Sequence, residues 1–145
     1  MDFRWGRAIA HGKCRMTRIQ FKLPWPPSVN AAWRSPRTGP LAGRTLLSAE
    51  GRAYRRAVGE NVLIQRVPRH TLSGKLQVWI WARPPDERAR DLDNLPKALL
   101  DGLKHAGVIA DDKFIDELHI VRERVLKPAG EVEVMIAEIR QTEAA

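Results

Sequence analysis

At 145 residues the chain is long enough for one domain with a real hydrophobic core. A composition of 43% hydrophobic and 29% charged residues reads as soluble and globular, no run of about 18 apolar residues is present to span a membrane, and no apolar secretory stretch opens the chain. One cysteine, Cys14, excludes an internal disulfide framework or a multi-cysteine zinc site and agrees with a cytoplasmic, reducing setting, while a net charge of +8 favours a polyanionic partner.

The first 16 residues show no period and read as a basic flexible arm, with the folded domain expected over 17–145. Ile19, Phe21 and Leu23 alternate with Arg18, Gln20 and Lys22, the period of a half-buried strand. Pro24, Pro26 and Pro27 end it. Residues 24–45, rich in Pro, Gly and Arg, read as a long functional loop. Arg34, Arg37 and Arg44 interleaved there with Trp25 and Trp33 suit a surface that grips a nucleic-acid backbone and stacks bases. The other reading is that both tryptophans cap the core.

Ser48 is a candidate N-cap with Glu50 in the first turn, and Ala49, Ala53, Ala57, Val58 and Val62 predict a helix over about 49–66. Arg52, Arg55 and Arg56 fall on its other side. Residues 75–83 predict a strand with Leu76, Val78, Ile80 and Ala82 on one face and Trp79 and Trp81 on the other. A second helix is expected over about 94–105, capped by Asp93, with Pro96 in its first turn, a buried stripe of Leu95, Leu99, Leu100 and Leu103, and Gly107 at its C-terminus. A strand near 118–126, a hairpin turn at Pro128-Ala129-Gly130 and a last alternating strand complete the domain. The expected order is β-α-β-α-β-β, an α/β fold with a mixed sheet and two main helices.

Charge is segregated along the chain. Residues 1–90 hold 18 Lys/Arg against 5 Asp/Glu, whereas residues 91–145 hold 7 against 12. A protein that only grips DNA gains nothing from carboxylates beside phosphates; one that hydrolyses DNA needs them to hold a metal. In extended chain Asp91 and Asp93 share a face, with Leu92 turned inward, and two adjacent carboxylates favour a cation between them. Mg²⁺ suits such oxygen donors. Asp111 and Asp112 return a third carboxylate after a helix and a turn, and Lys97, four residues beyond Asp93, is placed to stabilise charge on a scissile phosphate. A bare D-x-D also occurs at ordinary helix caps, and on that reading Asp93 is a cap and Asp91 a surface charge. Asp101 and Asp116 read as solvated or paired with lysines, and His105 and His119 as structural.

Three blocks resemble one family: Leu23-Pro24-Trp25-Pro26-Pro27-Ser28-Val29-Asn30, Ser48-Ala49-Glu50-Gly51-Arg52-Ala53-Tyr54-Arg55, and Arg90-Asp91-Leu92-Asp93-Asn94-Leu95 through Lys97 to Gly107 and Asp111-Asp112. In this order and spacing the chain resembles the RusA Holliday junction resolvases, small endonucleases often carried by prophages. The resemblance implies a homodimer, Mg²⁺ (with Mn²⁺ as a substitute) and paired symmetric nicks in four-way branched DNA. It implies metal ligation by Asp91, Asp93 and Asp112 and a catalytic Lys97, with Arg90 and Asn94 beside the site; with the loop arginines Arg34, Arg37 and Arg44, and with Asn30 and Arg88, these two make up the expected DNA contacts. The segment before Asp91 departs from the family in holding only two arginines, Arg88 and Arg90, beside two acids. Two rival functions are a junction-binding protein that does not cut and a Mg²⁺ nuclease acting on flaps or other branched DNA.

Overall fold

A computed structural model describes residues 17–139; the expected arm at 1–16 lies outside them. Strand β1 (Arg18–Pro24) buries Ile19, Phe21 and Leu23 and exposes the residues between, as its alternation dictates. The expected loop after it is partly built. Helix α1 (Val29–Ala32), capped by the Ser28 hydroxyl, leads into a small hairpin of β2 (Trp33–Arg34) and β3 (Leu46–Leu47). Strands of two residues carry no readable period, so sequence pattern alone leaves them as loop.

Helix α2 (Ala49–Ile64) starts at Ser48, whose hydroxyl accepts the Gly51 amide at 3.0 Å and donates to the Ala31 carbonyl at 2.5 Å. Its buried face is Gly51, Tyr54, Val58 and Val62 rather than the alanine stripe; Ala49 and Ala53 are exposed. The larger apolar side chains win the interior because burial scales with apolar area. Strand β4 (Leu76–Arg83) follows, then a 3₁₀ turn (Leu92–Asn94) and helix α3 (Pro96–His105). Leu95, Ala98, Leu99 and Leu103 are buried, with Leu100 partly so. The helix ends on Gly107 at φ +81°, with Val108 donating to the Leu103 carbonyl and Gly107 to that of Lys104, the paired bonds that a left-handed glycine permits. A second 3₁₀ turn (Asp112–Phe114) opens β5 (Ile115–Arg122), which starts three residues earlier than expected, and β6 (Glu131–Glu138) closes the fold.

The sheet order is β1-β6-β4-β5, with β4 and β5 parallel and the other pairs antiparallel, so the expected mixed sheet is present. The expected hairpin at Pro128 is not formed between β5 and β6. Strand β4 lies between them, and residues 123–130 cross its end, with Glu123 donating to the Ala82 carbonyl and Leu126 to that of Pro84. As the central strand of the antiparallel half, β6 is buried from Val132 to Ala137 rather than alternating. Both helices share the core with Leu76, Val78, Ile80 and Ala82, while Trp81, Met135 and Ala137 form a separate cluster on the other face of the sheet.

Candidate active site

The segment that joins β4 to α3 carries the expected site, and its backbone differs from the extended reading. Asp91 is extended, but Leu92, Asp93 and Asn94 coil into the 3₁₀ turn, and Asn94 donates to the Asp91 carbonyl at 3.4 Å. Three residues per turn sets Asp91 over Asn94 rather than over Asp93. Asp93 therefore does not cap α3. That helix starts at Leu95 with no side-chain cap, and Pro96, which needs no hydrogen-bond acceptor, sets its first residue. Leu92 is only partly buried; the apolar anchor of the turn is Leu95. Asp91, Asp93 and Asn94 are all exposed at the mouth.

Arginines fix this segment. Arg90 Nη1 donates to Asp86 Oδ1 at 2.6 Å, and its guanidinium lies 5.8 Å from the Trp25 ring centre. The bond from Arg90, helped by the Arg88 amide, holds the Asp86 carboxyl down at about 2. From the end of β5, Arg122 Nη2 donates to the Arg90 carbonyl, at the peptide that leads into Asp91. Arg122 and Arg124 line a cavity of about 400 Å³ with Arg88, Arg90 and Asp91. A second cavity, of about 270 Å³, is lined by Trp25, Ser28, Arg90, Asp91 and Asn94. Neither Arg122 nor Arg124 was expected at the site, because strand β5 returns to it only through the parallel pairing with β4, which no local pattern discloses.

Lys97 is exposed in the first turn of α3, and its ammonium stands 5.1 Å from the Trp33 ring centre. Trp25 and Trp33 each pack partly against the core, as the core-capping reading expects, and each lies under a cation. Asn30 is exposed on α1, Arg34 on β2, and Arg37 and Arg44 in the hairpin loop. Arg88 is exposed, 3.8 Å from Asp86. Among the other expectations, Asp101 pairs with Arg55 at 2.9 Å instead of a lysine, Asp116 pairs with Lys75 at 3.2 Å, and His119 stacks on Trp79 with ring centres 4.0 Å apart.

Asp112 lies elsewhere. It opens the second 3₁₀ turn, next to Asp111, whose carboxylate meets Lys104 Nζ at 3.5 Å in the last turn of α3. A hydrogen bond with Asp112, then the Lys113 amide, holds the Asp111 carboxyl at about 2. Asp91 and Asp93 precede the other end of the same helix. Among the described residues no three Asp, Glu, His or Cys side chains stand together as a group able to hold a metal ion. Oxygen donors suited to a hard cation are present at both ends of α3, but the structure does not bring the three together within the chain.

Residues 24–137 match the family model described as endodeoxyribonuclease RusA. The chain belongs to the RusA family. The crossover junction endodeoxyribonuclease of Enterobacteria phage HK97 is 38% identical over 124 residues, which cover 86% of this chain and 98% of that relative. The crossover junction endodeoxyribonucleases RusA of Escherichia coli strain K12 and Shigella sonnei strain Ss046 match to the same extent. Family membership thus takes in the Asp91–Lys97 segment and both 3₁₀ turns. Among the described residues, no helix is long and apolar enough to cross a membrane.

Proposed function

We propose that this protein is an endodeoxyribonuclease that resolves four-way DNA junctions in the cytoplasm by paired, symmetric nicks, acting as a homodimer with Mg²⁺ or Mn²⁺. The observation that carries the reading is the 38% identity over 98% of a relative named a crossover junction endodeoxyribonuclease. The exposed aspartates at the mouth of α3, ringed by arginines, agree with it. Asp91, Asp93 and Asp112 are the proposed metal ligands. A divalent ion held there would supply Lewis-acid activation of the attacking water and offset charge on the leaving oxygen.

The chain's own residues supply the rest. Lys97, on leaving Trp33, neutralises the scissile phosphate. Arg88, Arg90 and Asn94 hold the flanking backbone. Asn30, Arg34, Arg37 and Arg44 extend the grip along the hairpin, and residues 1–16 add a basic arm. Arg122 acts through the Arg90 carbonyl as a positioning residue. The decisive experiment incubates the purified protein with a labelled four-way junction and a matching linear duplex, with and without Mg²⁺. Paired nicks in the junction alone, and only with the ion, are expected. Binding without cleavage in Mg²⁺ would make the protein a junction-binding module, and equal cutting of duplex or flaps would remove its structure selectivity.

A further inference from the structure

We infer that residues 1–16 dock on the face of the sheet that the helices leave uncovered, seated over Trp81, Met135 and Ala137. Helices α2 and α3 share their core with the side of the sheet that carries Val78, Ile80, Val134 and Ile136. Side chains alternate across a strand, so Trp79, Trp81, Glu133, Met135 and Ala137 point to the opposite side. There Trp79 stacks between Trp81, with ring centres 5.7 Å apart, and His119, at 4.0 Å, an aromatic row across β4 and β5.

A bare sheet face leaves its side chains wet. In a lone chain, however, Trp81 is only 5% exposed, and Met135 and Ala137 are 0% exposed. The strand register sets Gln20 and Trp79 beside Met135, and Arg18 and Gln77 beside Ala137. Such neighbours flank a side chain without roofing it. Among the described residues the cluster holds only Trp81, Met135 and Ala137, with Trp79 packed against it, and no residue of a helix. The roof therefore has to come from the same chain, outside residues 17–139.

Two segments qualify by position. Residues 140–145 are Arg, Gln, Thr, Glu and two alanines, with no large apolar side chain to seat on an aromatic row. Residues 1–16 bring Phe3, Trp5, Ile9 and Met16. They also arrive at the right place. The Thr17 carbonyl accepts the Glu138 amide at 3.1 Å, so the chain enters β1 beside Ala137. From Ala137 to Glu133, level with Trp81, is four residues, about 13 Å of strand. Sixteen residues reach about 24 Å even when coiled as a helix. Apolar side chains of the segment face the sheet, and Arg4, Arg7, Lys13 and Arg15 stand on the solvent side. The family match begins at residue 24, so this roof is an addition to the matched domain.

NMR of the full chain with carbon-13 methionine methyls tests this. The Met135 methyl is expected to show nuclear Overhauser contacts to Trp5 or Ile9. In a mixture of labelled and unlabelled chains, none of these contacts should cross from one chain to another. Trypsin should cut after Arg4, Arg7, Lys13 and Arg15 at least about tenfold faster in Trp5→Ser/Ile9→Ser than in the wild type, because the segment is released. Equal cutting of the two proteins overturns the inference, as does a Met135 methyl with no contact to residues 1–16. Contacts that cross between chains place a second copy on this face, and contacts from residues 140–145 assign the roof to the other terminus; either result also overturns it.

Discussion

Asp86 and Arg90 show how a single ion pair shapes the chain before Asp91. Four residues apart, they close a short loop, and the guanidinium they fix spans Asp86, the Arg88 carbonyl and the face of Trp25. The Asp86 carboxyl is depressed to about 2 from an ordinary 3.8, so this tie is complete above about pH 4 and is lost as pH falls through about 2. Carbon-13 NMR should place its titration near 2 in the wild type and return it toward 3.8 in Arg90→Ala; a midpoint unchanged by that substitution removes Arg90 as the cause. Arg83 makes the opposite case, a buried cation. Its three nitrogens reach Glu123 at 2.8 Å, Glu131 at 2.5 Å and Glu133 at 3.0 Å. Arg83→Met removes the guanidinium that joins Glu123, Glu131 and Glu133, and the expected loss is about 3–5 kcal/mol in urea unfolding at pH 7.

At the level of elements, α2 and α3 meet so closely that a glycine is required. A Cβ on Gly102 would stand 2.9 Å from Val58 Cγ2. Gly102→Ala should cost about 1–3 kcal/mol, and Val58→Ala in the same chain should recover part of it, the non-additivity that marks a direct clash. Gly51 is tighter still, since a Cβ there would meet the Ala32 carbonyl at 2.3 Å and push α1 and the hairpin away from α2. What could be read from sequence follows the same geometry. β1, β4, α2 and α3 carry full periods, and their positions agree with the pattern to within a few residues. The 3₁₀ turn at Leu92–Asn94 was hidden because D-x-D mimics an extended alternation. The order of β5 and β6 was hidden because neighbours in sequence suggest a hairpin, and only long-range pairing inserts β4 between them. For the site, the residue types around Asp91 were legible from charge and spacing, whereas Arg122 and Arg124 reach it through the sheet. The position of Asp112 depends on how a helix spaces its ends, which a count of residues between motifs does not reveal.

Across the whole molecule, helices cover one face of the sheet and the basic hairpin extends beside the mouth of α3. If Arg34 and Arg44 contact phosphates, alanine at either should weaken junction binding and reduce the slope of log affinity against log salt by about 1. An unchanged slope clears that arginine of phosphate contact. Arg122→Ala should lower the turnover number roughly tenfold while leaving the Michaelis constant within about threefold, because it orients Asp91 without being proposed to grip DNA. A rise in the Michaelis constant alone would make it a DNA contact instead.

The resting place of Lys97 has an optical consequence. Its ammonium lies over the indole of Trp33, 5.1 Å from the ring centre, and a nearby cation perturbs an indole's excited state. In a chain keeping Trp33 as its sole tryptophan, the emission should change when a phosphate draws the lysine away, and that change should be absent in Lys97→Met. The arrival of the backbone at the mouth then becomes visible by light, in real time and ahead of any cut.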